Sequence, residues 1–426
     1  MSTEIDWMGG AVPSTWEVFK LKHVLREEKK EIGSDVPAGA ISFGEVVFKN
    51  FDNDETLATY RTVRRGHFLI NPLNLNYDLK SLRIGLSDID CRVSPAYIVA
   101  SNDEAVARAK YLRWALRVFD VQHIKTLGAG VRQTVRFEDI GECRIALPRL
   151  EEQEKIADNL DRATARIDTL ITKKSRFIEL LREKRQALIS HSVTKGLRAD
   201  VPMKDSGVEW LGDIPRHWKS MMLRRAIASF QQGWSPDCDA RPAEVGEWGV
   251  TKSGCVNGGV FREAENKALP ARFEPRPSLE ILDGDVLMCR ASGSPSLIGS
   301  AAYVLNPRRG LMISDKIFRL FPKPQMDRRF LVYSLGSTPL RRQIEQAIGG
   351  AEGLANNLSQ ESIKELWLAQ PPIEEQVRIV AHLDGATSRI DTLVSKTERS
   401  IELLREHRSA QITAAVTGKT YFRKVV

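Results

Sequence analysis

Two polar loops carry residue types suited to reading the bases of nucleic acid. The first is Gly128-Ala129-Gly130 followed by Arg132-Gln133-Thr134, and the second is Gly349-Gly350 followed by Asn356-Asn357. Glycine lets the backbone turn and approach a phosphate closely. Arginine and glutamine can make paired hydrogen bonds to guanine and adenine respectively. Ordinary turn chemistry is the alternative interpretation of each loop taken alone.

Further polar residues surround two predicted strands, at residues 66–70 and 284–288. They are Arg61, Arg64 and Arg65 before the first strand, Asn71 and Asn74 after it, Arg290 and Ser292 after the second strand, and Lys252, Ser253 and Asn257 in a third loop. Polar loops recur at matching places in both halves of the chain, and this recurrence favours DNA binding. We therefore predict a DNA-contacting surface built from these residues and from the two loops above. The loop residues are Gly130, Arg132, Gln133, Thr134, Asn356 and Asn357.

Catalytic signatures are sparse. The chain has no G-x-x-x-x-G-K-[ST] phosphate-binding loop, and Asn71-Pro72-Leu73-Asn74 lacks the second proline and the aromatic of an adenine methyltransferase motif. Pro236-Asp237 with Glu265-Asn266-Lys267 fits a loose pattern of Mg²⁺-dependent nucleases. The seven histidines and five cysteines show no metal-ligand spacing. We predict a chain without catalytic, metal or cofactor site, with a stand-alone nuclease as the alternative.

Composition is that of an ordinary protein of 426 residues, 42% hydrophobic and 28% charged, with a formal net charge of +8. This mild excess of positive charge allows a nucleic-acid partner without requiring one. No apolar run approaches the ~18 residues of a membrane span. Neither a signal peptide nor a disulfide framework is visible, so we expect a cytoplasmic protein without a membrane partner.

One stretch of about fifty residues occurs twice, at 148–196 and 371–419. Each copy begins after proline with glutamates, which favour a helix start, and continues with apolar residues at alternating spacings of four and three. This heptad pattern predicts two long helices that pair with each other. A surface helix packed on its own domain is the alternative. The predicted seam comprises Ile156, Leu160, Ile167, Leu170 and Leu181 in the first copy and Ile379, Leu383, Ile390, Leu393 and Leu404 in the second.

The remaining segments also match at their ends. Trp7-Met8-Gly9 corresponds to Trp210-Leu211-Gly212, while the interiors of the two segments differ. We predict an α/β (α+β) fold with two similar globular domains, a pseudo-twofold internal repeat and two long helices that pair with each other. The predicted bounds are residues 1–147 (first domain), 148–198 (central helical region), 199–207 (linker), 208–370 (second domain), 371–419 (C-terminal helical region) and 420–426 (tail).

These duplicated motifs resemble one family over essentially the full chain. They are the P-x-[LI]-E-E-Q helix starts at 148–153 and 371–376, the R-I-D-T-L blocks at 166–170 and 389–393, the I-E-L-L-R-E blocks at 178–183 and 401–406, and the paired W-[LM]-G openings. The family is the specificity (S) subunit of type I restriction-modification systems.

The resemblance implies a non-catalytic subunit with two target recognition domains, each reading one half of a split target in double-stranded DNA. It also implies that the two helices form an antiparallel coiled coil and dock two methyltransferase (M) subunits. ATP-driven restriction/translocase (R) subunits would join this core. S-adenosylmethionine, ATP and Mg²⁺ would then be bound by the partners and not by this chain. A DNA-binding adaptor of the same fold without such partners is the other alternative.

Overall fold

The computed structural model describes residues 4–32, 36–50, 59–73, 82–127, 134–348 and 356–419. Its contacts divide the chain into two compact units. Unit 1 comprises Met1–Ser175 with Arg399–Val426, and unit 2 comprises Arg176–Glu398. Both units mix strands and helices, as predicted.

Unit 1 contains short strands and three helices before the centre of the chain. The strands are β1 (Glu4–Ile5), β2 (Gly10–Ala11), β3 (Glu17–Lys20), β4 (Leu25–Glu27), β5 (Gly39–Ser42), β6 (Glu45–Phe48), β7 (Arg61–Val63), β8 (Phe68–Ile70), β9 (Ile84–Leu86), β10 (Cys91–Val93), β11 (Ile98–Asn102) and β12 (Arg144–Leu147). The helices are α1 (Ala109–Gln122), α2 (Phe137–Gly141) and the start of α3 (Leu150–Lys195), with 3-10 turns at Asp6–Met8, Leu21–His23 and Ile124–Thr126.

Unit 2 holds the rest of α3 and the second set of elements. Its strands are β13 (Met203–Asp205), β14 (Asp213–Pro215), β15 (Lys219–Met222), β16 (Ile227–Gln232), β17 (Gly249–Thr251), β18 (Asn266–Ala268), β19 (Val286–Cys289), β20 (Ala301–Tyr303), β21 (Leu311–Met312), β22 (Ile317–Pro322) and β23 (Trp367–Gln370). Its helices are α4 (Leu223–Ala226), α5 (Arg328–Leu335), α6 (Thr338–Ala347), α7 (Gln360–Glu365) and most of α8 (Ile373–Val416), with 3-10 turns at Ser253–Gly259, Pro277–Leu279 and Pro295–Leu297. Strand β13 lies within the predicted linker.

The two units share a strand order at their centres. In unit 1 a six-stranded sheet runs β4-β11-β8-β9-β6-β5, and in unit 2 a four-stranded sheet runs β16-β22-β19-β20. The first four strands therefore follow the same topology in both. In each unit an early strand also pairs antiparallel with the strand that precedes the long helix, β3 with β12 and β15 with β23. The predicted repeat thus extends from the sequence to the order of strands.

Burial of one helix face fixes each sheet. In unit 1, α1 buries Tyr111, Leu112, Ala115 and Phe119 at helical spacing against the core that contains Phe68 of β8. In unit 2, Phe330, Leu331 and Leu335 of α5 bury in the same core as β19. Each of the central strands β8 and β19 is therefore packed against a helix and held rigidly.

The long helices run antiparallel within each unit. In unit 1, Arg408 Nε of α8 lies 3.0 Å from Asp168 Oδ1 of α3. In unit 2, Arg185 Nε of α3 lies 2.9 Å from Asp391 Oδ1 of α8. These two ion pairs join equivalent positions of the repeat with the helices exchanged. The pairing is consistent with the predicted coiled coil.

The seam differs from the prediction at two leucines. Leu170 and Leu393 were expected to be buried, yet they are 47% and 46% exposed. Two apolar residues are adjacent there. The seam continues from Ile167 to the half-buried Ile171, four residues further on, and not to Leu170, three residues further on. Leu393 lies outside the seam for the same reason, beside Val394. The other predicted residues are buried, except for the half-buried Leu404; they are Ile156, Leu160, Ile167, Leu181, Ile379, Leu383 and Ile390.

A buried glutamine fastens each domain to its helix. Gln153 Nε2 donates to the Pro148 carbonyl oxygen (2.9 Å), and its Oε1 accepts from the Arg108 backbone N–H (2.8 Å). Gln376 makes the same contacts with the Pro371 carbonyl (2.9 Å) and the Asp327 N–H (2.8 Å). Both side chains are fully buried, so each amide satisfies backbone groups that would otherwise lack partners.

Each long helix ends against a tryptophan near the start of a domain, Trp218 for α3 and Trp16 for α8. In unit 2, Gly196 follows α3 with φ of 78°, and a Cβ atom there would lie 3.3 Å from the Trp218 ring. In unit 1, Gly418 follows α8 with φ of 70°, and a Cβ atom there would clash with Pro13 and lie 3.3 Å from the Trp16 ring. Glycine is suited to both positions because the left-handed backbone and the close ring disfavour a side chain.

Candidate nucleic-acid interface

The two units build the same junction at the end of the central strand. In unit 1, Val135 N–H donates to the Pro72 carbonyl just after β8 (3.1 Å). In unit 2, Leu358 N–H donates to the Arg290 carbonyl just after β19 (2.8 Å). These hydrogen bonds hold the last segment of each domain against the end of its central strand, β8 or β19. The sequence predicted DNA-contacting residues next to both strands. We call the two places strand-end junctions.

The junction of unit 1 gathers Asn71 and Thr134. Asn71 N–H donates to the Arg83 carbonyl (2.8 Å), and Asn71 Oδ1 accepts from Leu73 N–H (3.1 Å), which fixes the turn. Thr134 is exposed beside Val135. Four predicted residues of this surface, Asn74, Gly130, Arg132 and Gln133, lie outside the described residues.

The junction of unit 2 gathers Arg290 and the two asparagines. Ala291 forms a β-bridge with Asn357, whose side chain is exposed, while Asn356 is half-buried. Arg290 Nη1 donates to the Asp315 carbonyl (3.4 Å), and its guanidinium lies 5.3 Å from the centroid of the Phe318 ring. Ser292 is buried and its hydroxyl accepts from Ser294 N–H (3.2 Å). Arg290 and Asn357 are thus held at one place, and Ser292 shapes the turn beneath them.

The loop with Lys252, Ser253 and Asn257 packs on the same strand. Its Cys255 and Val256 are fully buried in a cluster that also contains Cys289 of β19. Lys252 N–H donates to the Glu265 carbonyl (2.9 Å), Lys252 and Ser253 are half-buried, and Asn257 is exposed. The structure therefore places this predicted loop on the domain that carries the second junction.

Arg61 is not available to a ligand, contrary to the prediction. Its side chain is almost completely buried, with Nη1 donating to the Tyr97 carbonyl (3.1 Å) and Nη2 to the Glu28 carbonyl (2.8 Å). Burial lowers the pKa of the guanidinium from its usual value, against the opposing effect of nearby Glu27 and Glu28. Sequence alone could not separate this arginine from its neighbours because all three precede the strand.

Arg64 and Arg65 are exposed, but they lie away from the junction. Arg64 Nη2 pairs with Glu31 Oε1 (2.9 Å), and Arg65 Nε donates to the Asp88 carbonyl (2.8 Å). Both precede β8, whereas Asn71 follows it, so the length of the strand separates them. The structure does not bring these arginines together with Asn71.

Arg61→Ala should destabilise unit 1 without changing any DNA preference. Two buried carbonyl groups would lose their donors, which costs about 1–3 kcal/mol each where no water replaces them. The midpoint of urea unfolding measures this loss. Arg64→Ala is the matched control, because its exposed ion pair contributes less than about 1 kcal/mol. Equal midpoints for the two variants would contradict the assigned structural role.

The residues that position Arg290 were not predicted from the sequence. The Ser235 hydroxyl lies against the Asp315 carboxylate, and Asp315 N–H donates to Ser235 Oγ (3.2 Å). The carbonyl of Asp315 accepts from Arg290. Ser235 and Asp315 are far apart along the chain and belong to no recognisable motif, so no sequence signal identified them.

The described residues hold no group of three or more His, Cys, Asp or Glu side chains arranged for a metal ion. In the nuclease-like pattern, Asp237 Oδ2 is ion-paired with Arg272 (3.0 Å), and Asn266 is buried with its amide bound to backbone. Burial raises the pKa of the Cys289 thiol to about 11, so this cysteine beside the junction is protonated at neutral pH and a poor nucleophile. None of the described helices is long and apolar enough to cross a membrane.

Comparison with known proteins found no matching family model. Among curated relatives, the specificity subunit of the type I restriction enzyme EcoEI from Escherichia coli is 28% identical over 224 residues, which are 52% of this chain and 37% of that protein. The putative MjaX specificity subunit from Methanocaldococcus jannaschii is 22% identical over 432 residues, covering 96% of this chain and 95% of that protein. The EcoKI specificity subunit from Escherichia coli is 20% identical, covering 70% and 61%.

Solved structures show the same fold. A chain from a structure of a type I R-M system has a TM-score of 0.69 at 17% identity, covering 96% of this chain and 99% of that one. The HsdS subunit from Thermoanaerobacter tengcongensis has a TM-score of 0.51 at 17% identity, covering 96% and 98%. The likeness therefore includes both domains and both long helices.

Proposed function

We infer that this chain belongs to the family of type I restriction enzyme specificity subunits, and we propose that it selects the DNA target of such a complex. Each domain would read one half of a split sequence in double-stranded DNA. The strand-end junctions carry this proposal. Both units build them with the same backbone hydrogen bond and the same strand order, yet they present different side chains, Thr134 in one and Asn357 in the other.

The side chains at the second junction suit contacts to DNA. Arg290 offers a guanidinium fixed by a carbonyl and an aromatic ring, and Asn357 presents an exposed amide. Such groups can pair with base edges in the major groove, where each base pair shows a distinct pattern of donors and acceptors. Fixed positions favour discrimination, because a ready-placed donor loses little conformational freedom on binding.

Methyltransferase subunits would dock on the long helices. In unit 2, Phe177, Leu180 and Leu393 are between 45% and 47% exposed. In unit 1, Leu170 and Leu403 are 47% and 50% exposed. Apolar side chains exposed along paired helices are typical of surfaces that a partner covers. The leucines occupy equivalent positions of the repeat, which fits two copies of one partner.

We further propose that this chain is non-catalytic and that its partners hold the cofactors. S-adenosylmethionine would be bound by the methyltransferase subunits, and ATP and Mg²⁺ by the partners of the assembled complex. In the nuclease-like pattern the Asp237 carboxylate is paired with Arg272 and Asn266 is bound to backbone, which supports a binding role for this chain over a nuclease role.

Coexpression with the methyltransferase subunit from the same genome tests the function. We expect the two chains to copurify, and we expect mapping of methylated adenines in the host DNA to give one split sequence. DNA cleavage by the purified chain alone with Mg²⁺ would instead support a nuclease. Specific DNA binding without capture of the methyltransferase would indicate an independent adaptor.

A further inference from the structure

An arginine–tryptophan stack stands on the surface of the second domain. The Arg276 guanidinium carbon lies 3.9 Å from the centroid of the Trp234 ring. Trp234 is half-buried, packs on the cluster that contains Val250, and meets Phe273 edge to face with 5.8 Å between ring centroids. The ring is thus a fixed platform, and the contact holds the guanidinium over its face.

Arg276 has an exposed side chain that makes no hydrogen bond or ion pair with any described residue. Its backbone is nevertheless fixed, because its N–H meets Met312 Sδ (3.2 Å) and its carbonyl accepts from Leu279 N–H (2.9 Å). All five guanidinium N–H donors are therefore without a partner among the described residues. This combination of a fixed position and free donors is what recognition of a planar acceptor requires.

A neighbouring arginine shows the contrast. Arg272 stacks on Phe273 at 4.9 Å, but its Nη2 donates to the carbonyl (3.1 Å) and the carboxylate (3.0 Å) of Asp237. Its charge is already paired within the chain. Arg276 is the member of this cluster whose donors remain for a ligand.

The stack adjoins the second strand-end junction through the backbone. Trp234 N–H donates to the Ile313 carbonyl (3.1 Å), and the next residue, Ser235, accepts from Asp315 N–H (3.2 Å). The Asp315 carbonyl accepts from Arg290 and also from Gln232 Nε2 (3.1 Å). One loop therefore carries Trp234 and supports Arg290, and it links the stack to the junction.

We propose that Arg276 reads a guanine in the half-target of the second domain, next to the bases that Arg290 and Asn357 face. The inference rests on the proposed function. A planar guanidinium with free donors, held over the Trp234 ring, matches the N7 and O6 acceptors of guanine in the major groove, and this pairing is the commonest specific contact. A phosphate contact would need only the charge, and it would not need the fixed position over the Trp234 ring.

The test uses the complex with its methyltransferase subunit and the target defined by methylation mapping. Each guanine of the target is replaced in turn by 7-deazaguanine, which lacks the N7 acceptor, and binding is measured at fixed salt. For the unmodified chain, replacement of one guanine in the second half-target should weaken binding roughly five- to a hundredfold. Arg276→Ala should lose a similar factor on the normal target and should be indifferent to that replacement.

Arg276→Gln provides a second variant of similar length, and Arg272→Ala is the matched control that should keep the wild-type guanine sensitivity. An Arg276→Ala complex that retains this sensitivity overturns the inference. So does an equal loss on all sequences with a shallower salt dependence, which would mark a phosphate contact. If the unmodified complex showed no sequence preference at all, the proposed function itself would fail, and that outcome is distinct from the other two.

Discussion

Leu383→Asp should prevent unit 2 from folding, whereas Leu393→Asp should leave folding intact. Leu383 is fully buried in the core that joins α8 to the second domain, and Leu393 is 46% exposed on the same helix. A carboxylate at position 383 would have neither water nor a partner, which costs about 4 kcal/mol or more. Yield of folded chain and the midpoint of urea unfolding measure the difference.

The control also probes the partner surface. An aspartate at the exposed position 393 should change stability by no more than about 0.5 kcal/mol. It should still weaken capture of the methyltransferase subunit, because it places a charge in an exposed apolar group. Equal unfolding midpoints for the two variants would show that the seam assigned here is wrong.

Exchange of residues 223–366 for the interior of a related chain should change one half of the methylated sequence completely and leave the other half unchanged. The exchanged segment contains the second strand-end junction, the Trp234 loop and Arg276. The retained strands β15 and β23 pair with each other in register, Met222 opposite Trp367, so the joints fall at a closed part of the domain.

Methylation mapping of the chimera decides this prediction. A reciprocal exchange of the unit 1 interior, between β3 and β12, is the control and should change only the opposite half. Alteration of both halves by a single exchange would mean that the domains do not read independently.

The long helices were predictable because their signal is repetitive. Glutamates after proline, a seam of period three and four, and a second copy in the same chain all agree, and α3 and α8 begin within a few residues of the expected place. The error at Leu170 arose because two apolar residues adjoin there, and only packing decides which one turns inward. The strands β8 and β19 were likewise marked by local patterns.

The binding surface was less predictable because its parts are distant in sequence. Arg290 and Asn357 were marked by their loops, but their meeting at β19 depends on a backbone bond between Leu358 and Arg290. Arg61 shows the opposite case, since a charged residue in a predicted loop became a buried structural group. Trp234 and Arg276 had no signal at all, because their stacking depends on the fold around Met312 and Ile313.

The two units differ in when they can be completed during synthesis. Unit 2 is continuous from Arg176 to Glu398, so its parts leave the ribosome in one stretch. The core of unit 1 includes Ile412, Ala415 and Val416, which are translated after all of unit 2. The N-terminal domain must therefore wait with part of its apolar core uncovered, a state that favours aggregation. Slow translation, or loss of the last turns of α8, should therefore make the N-terminal domain more dependent on chaperones than the second domain.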